Sequence, residues 1–162
     1  MTTLADVHRS LIAQMQRTLD TLANVLVGLT PEHAHSLRDL SDGPKGWTPT
    51  EVICHLRDFD GFFQARAQLI VQQDNPQLPA YDHEALAIER RYNEQDIDQA
   101  YDELRASRLR FIAFFQGLDA QQWERQGIHP ERGPFSLTDA AIQVVGHDLV
   151  HLEQLTRILA QR

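Results

Sequence analysis

The sequence predicts an all-α protein built as a four-helix bundle, on three observations. Apolar residues recur at spacings of three and four over four long stretches. Most of those stretches open on a capping signal and stop at glycine or near proline. No stretch alternates between apolar and polar for long enough to suggest a sheet.

The first helix is expected over about residues 3–28, where Leu4, Val7, Leu11, Met15, Leu19, Leu22 and Leu26 share a face and Gly28 ends the run. Thr30-Pro31-Glu32 reads as the cap of a short helix, and Leu40–Gly46 as loop. Thr48-Pro49-Thr50-Glu51 starts the second long helix, to about residue 73. Thr48 is the N-cap, Pro49 takes the first helical position, and Glu51 completes a capping box. Its apolar face carries Val52, Leu56, Phe59, Phe63 and Ile70. Residues 74–93 read as a polar connection with a helical turn near His83–Arg91. The third long helix spans about 94–117, with Ile97, Leu104, Phe111 and Phe115 on one side and Gly117 at its end. A second loop follows over 118–135. Ser136-Leu137-Thr138-Asp139 then starts the fourth, about 136–160. The connections are long for a simple up-down bundle, which leaves room for an up-down-down-up topology. With no repeat, low-complexity tract or linker, residues 1–162 read as a single domain.

Composition excludes several function classes. The chain has 162 residues, 42% of them apolar, enough for a hydrophobic core. Fifteen basic residues against 23 acidic ones give a net charge of −8, which disfavours nucleic acid and anionic lipid as partners. No apolar run approaches the roughly 20 residues of a membrane span. The first residues lack the basic start and apolar core of a signal peptide, so a cytoplasmic location is expected. Cys54 is the only cysteine, which rules out an intrachain disulfide and a Cys-rich zinc site.

The chemistry concentrates on histidines. His147 and His151 stand four residues apart in the fourth helix, so both rings leave one face roughly 40° apart. That spacing lets one helix give two ligands to one metal ion. His55 lies within the apolar arc of the second helix and is the best third ligand. A single histidine on an apolar face is more often a hydrogen-bonded core residue. Three inward histidines each need a buried partner, and one ion satisfies all three. Their donor atoms should then converge within roughly 3–4 Å. Three histidines with an open fourth position suit zinc, and nickel is compatible with the same nitrogens.

Four more polar residues fall on or near inward arcs. Asp148 must be paired, either as an acceptor for an imidazole N–H or in a structural ion pair. Arg66 and Arg108 are the candidates to hold it, or to recognise an anionic substrate. Asp58, one turn from His55, is read either as a further acceptor near the imidazoles or as a solvated surface residue. His83 and His129 fall in loops, where nothing in the sequence supports a role at a pocket wall. Cys54 points about 100° away from His55 and is expected to be packed. Glu153 faces solvent, so no general base is evident, and no HExxH, GxSxG or phosphate-binding loop occurs.

Two segments carry a family resemblance. Trp47-Thr48-Pro49-Thr50-Glu51-Val52-Ile53-Cys54-His55-Leu56-Arg57-Asp58 is similar to a WTxxExxxHLxD segment. Gly146-His147-Asp148-Leu149-Val150-His151-Leu152-Glu153-Gln154 is similar to an HDxxHxxQ segment. Together, in this order and at this separation, they resemble the DinB/YfiT-like superfamily. Some members carry an extra histidine where Val150 stands here. The resemblance implies a four-helix bundle holding a divalent metal on His55, His147 and His151, often as a homodimer. It also implies an enzyme acting on a small molecule, either an S-transferase using a low-molecular-weight thiol cosubstrate or a hydrolase. The competing reading is a non-catalytic protein that binds a metal or sequesters a small molecule.

Overall fold

Four long helices carry the fold: α1 (Leu4–Leu26), α3 (Pro49–Gln72), α5 (Ile97–Gln116) and α7 (Leu137–Leu159). The computed structural model describes residues 1–162, apart from the side chains of residues 44 and 45. Thr3, Thr48 and Ser136 each accept a backbone N–H from three residues on, and Asp6, Glu51 and Asp139 reach back to the cap. Each box satisfies two helix-end donors that have no partner within the helix. The third long helix starts at Ile97, later than the expected 94. Tyr92–Glu94 forms a separate 3-10 turn, and Asp96 is the cap, accepting from the Gln99 N–H.

Named contacts give the topology. His8 pairs with Thr138 and Thr18 with Asp148, so α1 and α7 run parallel. The Cys54 thiol lies 3.6 Å from Gln95, and Asp60 accepts from Ser107 and Arg108, so α3 and α5 also run parallel. His55 faces His151 while Phe63 faces His147, so α3 and α7 are antiparallel. The order is up-down-down-up. α1 packs on α7 and α5, and α3 packs on the same two.

Parallel α3 and α5 require a connection that climbs the whole length of α3. Residues 73–96 do this. Pro79 lies beside Arg66, Tyr81 stacks on Phe62, and Tyr92 donates to Asp58. Helix α4 (His83–Glu89) sits within this crossover, and the short α2 (Pro31–Ser36) within the α1–α3 connection. Leu40–Lys45, expected as loop, is a 3-10 helix capped by Asp39.

The absence of strands is the expectation that fails locally. After α6 (Ala120–Trp123), β1 (Gln126–His129) and β2 (Gly133–Ser136) form an antiparallel hairpin, with Gln126 opposite Ser136 and His129 opposite Gly133. Four-residue strands of QGIH and GPFS are too short to show a period. The pairing is favoured by context instead. Ile128 accepts from the Leu78 N–H and donates to Pro76 O, which pins the foot of the crossover. The crossover passes so close that a Cβ on Gly127 would lie 2.9 Å from Pro76 O. The helical class stands, with this hairpin as a minor addition.

Two apolar clusters fill the bundle. One holds Met15, Phe63, Phe111, Phe115, Trp123 and Val144; the other holds Leu19, Leu22, Leu56, Leu104, Leu155 and Ile158. Between them each long helix contributes a polar group. Arg108 donates to Asp60 at 2.5 Å and to both oxygens of Asp148 at 2.5 and 2.9 Å. Thr18 completes Asp148 and Ser107 completes Asp60. Among the described residues no helix is long and apolar enough to cross a membrane.

Candidate metal centre

The antiparallel contact of α3 with α7 creates the site. His55 enters from α3, and His147 and His151 leave successive turns of α7. The ring centroids are 4.9 Å apart for His55–His147, and 4.6 Å for both His55–His151 and His147–His151. One nitrogen from each ring lies within 4.8 Å of the others. The Nε2 atoms of His55 and His147 are 2.8 Å apart. The spread exceeds the 3–4 Å expected from sequence. Ligands bound at about 2.1 Å stand roughly 3.4 Å apart at a tetrahedral angle. Rotations of the three rings would open the short pair and close the long one.

The donor set fits a divalent ion of nitrogen preference. His151 Nδ1 donates to Gln154 Oε1 at 2.8 Å, which fixes the tautomer and leaves the Nε2 lone pair for the site. Gln154 was only a letter of the second motif at the level of sequence; its spacing of three from His151 is what places it. A His55–His147 hydrogen bond and the Gln154 contact would still leave the inward Nε2 of His151 without a protein partner among the described residues. His55 Nδ1 is buried with no hydrogen-bond partner among the described residues.

Aromatic walls keep these rings uncharged. Trp47 packs edge-on to His55 at 4.8 Å, Phe59 lies 4.3 Å from His55, and Phe63 5.2 Å from His147. Burial pushes His147 down to about 3, with His151 and Arg108 adding to the effect. Burial drives His55 lower still. Burial also lowers His151, against the opposing pull of Gln154 and the Asp148 charge. Neutral imidazole is the form that ligates metal.

The other sequence candidates separate. Arg108, not Arg66, holds Asp148, whose oxygens are taken by Arg108 and Thr18 and not by an imidazole. Asp58 meets neither expectation. It is largely buried, and accepts from Tyr92 Oη at 2.6 Å, Arg90 at 2.7 Å and Arg57 at 2.9 Å. It ties the end of the crossover to α3. Arg66 turns to Pro79 O and His129. Cys54 is buried, and its thiol is pushed up to about 12, which removes it as a nucleophile.

The histidines open onto a cleft of about 790 Å³, also lined by Trp47, Phe59, Phe63, Arg66 and Tyr81. His83 and His129 line it too, which their loop positions in the sequence did not reveal. The crossover carries His83 to 6.2 Å from the His55 ring, and the hairpin carries His129 to Arg66.

The depressed imidazoles predict an acid-sensitive fold. An unfolded histidine titrates near 6.5, and His147 near 3 when folded. Between these values the unfolded chain binds more protons, so stability is complete above about pH 7 and falls as pH falls. At pH 5 this amounts to up to about 2 kcal/mol for each ring that stays neutral in the fold. Calorimetry of chelator-treated protein should show Tm dropping from pH 7.5 to 5, less steeply in His147→Gln. An unchanged Tm across that range would contradict the buried neutral state.

The model of the DinB superfamily matches residues 14–155. A protein of Oceanobacillus iheyensis named "putative metal-dependent hydrolase" is 27% identical over 141 residues, covering 87% of this chain and 79% of its own. The solved structure of YfiT from Bacillus subtilis, described as "a probable metal-dependent hydrolase with an unusual four-helix bundle topology", superposes with a TM-score of 0.88. It is 21% identical, and the match covers 99% of this chain and 90% of YfiT.

Proposed function

The chain belongs to the DinB superfamily, and from that premise we propose that it is a divalent-metal-dependent enzyme acting on a small molecule, with hydrolysis as the first reading. One observation carries it. Three imidazoles converge at the floor of a cleft, and no fourth His, Cys, Asp or Glu joins them among the described residues. Three protein ligands and an open position are the arrangement of catalytic zinc sites, whereas structural sites are closed.

In this reading His55, His147 and His151 hold the ion, zinc or nickel. Bound there, the ion would supply Lewis acidity, the means to lower the pKa of a water or thiol. The chain's own residues do the rest. Gln154 orients His151. Trp47, Phe59 and Phe63 exclude water from the floor, which strengthens every polar interaction there. His83, exposed at the rim with its ring 6.2 Å from the His55 ring, is the titratable side chain that could exchange a proton with a cleft-bound group through water.

A low-molecular-weight-thiol S-transferase is the second reading, and the cleft has the volume for it. About 790 Å³ is room for one drug-sized ligand, or for a smaller substrate beside a thiol cosubstrate. A non-catalytic metal-binding or sequestering protein is the alternative to both.

Metal analysis of the purified protein should give one zinc or nickel per chain. Turnover of ester, amide or haloalkane substrates should then disappear with chelator and return with the ion. Turnover without added thiol supports the hydrolase, and an absolute thiol requirement supports the transferase. Stoichiometric metal with no turnover under either condition would leave the binding protein.

A further inference from the structure

One end of the cleft holds a buried positive charge that no carboxylate contacts directly, with the Glu131 charge acting on it from further off. Arg66 is 6% exposed, yet among the described residues it enters no ion pair. Its Nε and Nη2 both donate to Pro79 O, and its Nη1 lies 3.0 Å from His129 Nε2. Three of the five guanidinium N–H groups are thereby used, and two remain. A buried cation without an anion is costly, and Arg108, the other deeply buried arginine, is met by two carboxylates.

His129 makes the mismatch sharper. Its Nε2 faces Arg66, a donor, and its Nδ1 faces the Glu131 backbone N–H at 3.2 Å, a second donor. A neutral imidazole offers one lone pair and one N–H. One of these two contacts is therefore a donor against a donor. An oxygen anion entering from the cleft would accept from the free Arg66 N–H groups and from the displaced His129 N–H.

We propose that this end of the cleft is a carboxylate-binding subsite formed by Arg66 and His129, and that the protein's substrates are small organic acids with an apolar middle. Arg132 lines the same cleft and adds positive charge, which offsets the neighbouring Glu131 carboxylate. The two remaining N–H groups, one on Nη1 and one on Nη2, can each donate to a carboxylate oxygen. Between the subsite and the histidines the wall is aromatic. Tyr81 lies under Arg66 at 5.1 Å and near Phe59, and Phe59 and Phe63 border His147. Along α3, Arg66 is eleven residues from His55, about 16 Å at the helix rise, and both side chains reach into the cleft. A carboxylate held at Arg66 would lay the apolar remainder of the acid along this aromatic wall, toward the three histidines. This inference rests on the metal-enzyme reading only for what happens at that far end.

The test uses the whole chelator-treated chain, so that the ion contributes nothing, with calorimetry as one readout and tryptophan fluorescence in a Trp123→Phe background, where Trp47 at the cleft is the sole emitter, as the other. The probes are 3-phenylpropionate, its neutral amide, and phenyl phosphate. The carboxylate should bind, the amide at least about tenfold more weakly, and raised salt should weaken the carboxylate alone. Arg66→Gln should lose about tenfold to a hundredfold in carboxylate affinity and little in amide affinity. His129→Asn, which leaves the Pro79 tie intact, should lose a smaller factor in the same direction and serves if Arg66→Gln fails to fold. Equal binding of acid and amide overturns the proposal, as does unchanged affinity in a folded Arg66→Gln. Phenyl phosphate binding more tightly than the carboxylate overturns the carboxylate assignment. If the apo protein binds the acid but metal analysis finds no site, the subsite survives and the metal reading falls; the reverse result separates them the other way.

Discussion

Replacing Arg108 with methionine should lower stability by about 3–5 kcal/mol, because it strands two buried carboxylates. Asp60 and Asp148 are 1% and 0% exposed, and both lean on this guanidinium. Thr18 and Ser107 give each only one hydroxyl bond in compensation. For a chain of this size the loss corresponds to a Tm lower by roughly 6–20 °C. Removing all three charges together, as Arg108→Met with Asp60→Leu and Asp148→Leu, should recover much of the loss, since a buried ion pair is often no better than a packed apolar replacement. A single Arg108→Met variant that melts with the parent would show that water or protonation already neutralises these groups. The layer also bears on the site. Asp148 lies between His147 and His151 in sequence, so clamping it to α5 and α1 fixes the rotation of α7 about its axis. That rotation decides whether both histidines face α3.

What the sequence made legible was local. Capping boxes at Thr48 and Ser136 and the four-residue spacing of His147 and His151 depend on a few neighbouring residues, and they emerged as expected. His55 was legible because its helix face is marked by Val52, Phe59 and Phe63. The path of the crossover was not legible. Residues 73–96 are polar and lack a period, and their course along α3 is set by distant partners such as Phe62, Asp58 and the hairpin. Hence His83 and His129 could not be assigned to the cleft. The roles of the arginines failed for the same reason. Arg66 and Arg108 both lie on inward arcs, and only the level of each along the bundle decides which meets Asp148. Asp58 showed one turn of proximity to His55, but its own helix could not reveal that Tyr92 and Arg90 return to claim it.

Replacing His151 with alanine should leave the bundle folded and cut affinity for zinc or nickel by at least about a hundredfold. The lower bound follows from outer groups, whose loss alone typically costs tenfold to a hundredfold. A direct ligand contributes more, and two histidines hold a divalent ion far less well than three. The helix should survive, because alanine is the strongest helix former and His151 makes one side-chain hydrogen bond, to Gln154. Loss of metal and loss of fold are therefore separable by measurement. In the parent, an ion at a hundred times its Kd should stabilise the fold by about 2.7 kcal/mol, seen as a raised Tm that chelator abolishes. In His151→Ala the same ion concentration should stabilise the fold by no more than about 0.4 kcal/mol. Tight binding of one ion by His151→Ala would remove this residue from the ligand set, and the close pair of His55 and His147 would then need a third partner from elsewhere in the cleft. His83, which the crossover brings nearest, is the residue to replace in that event.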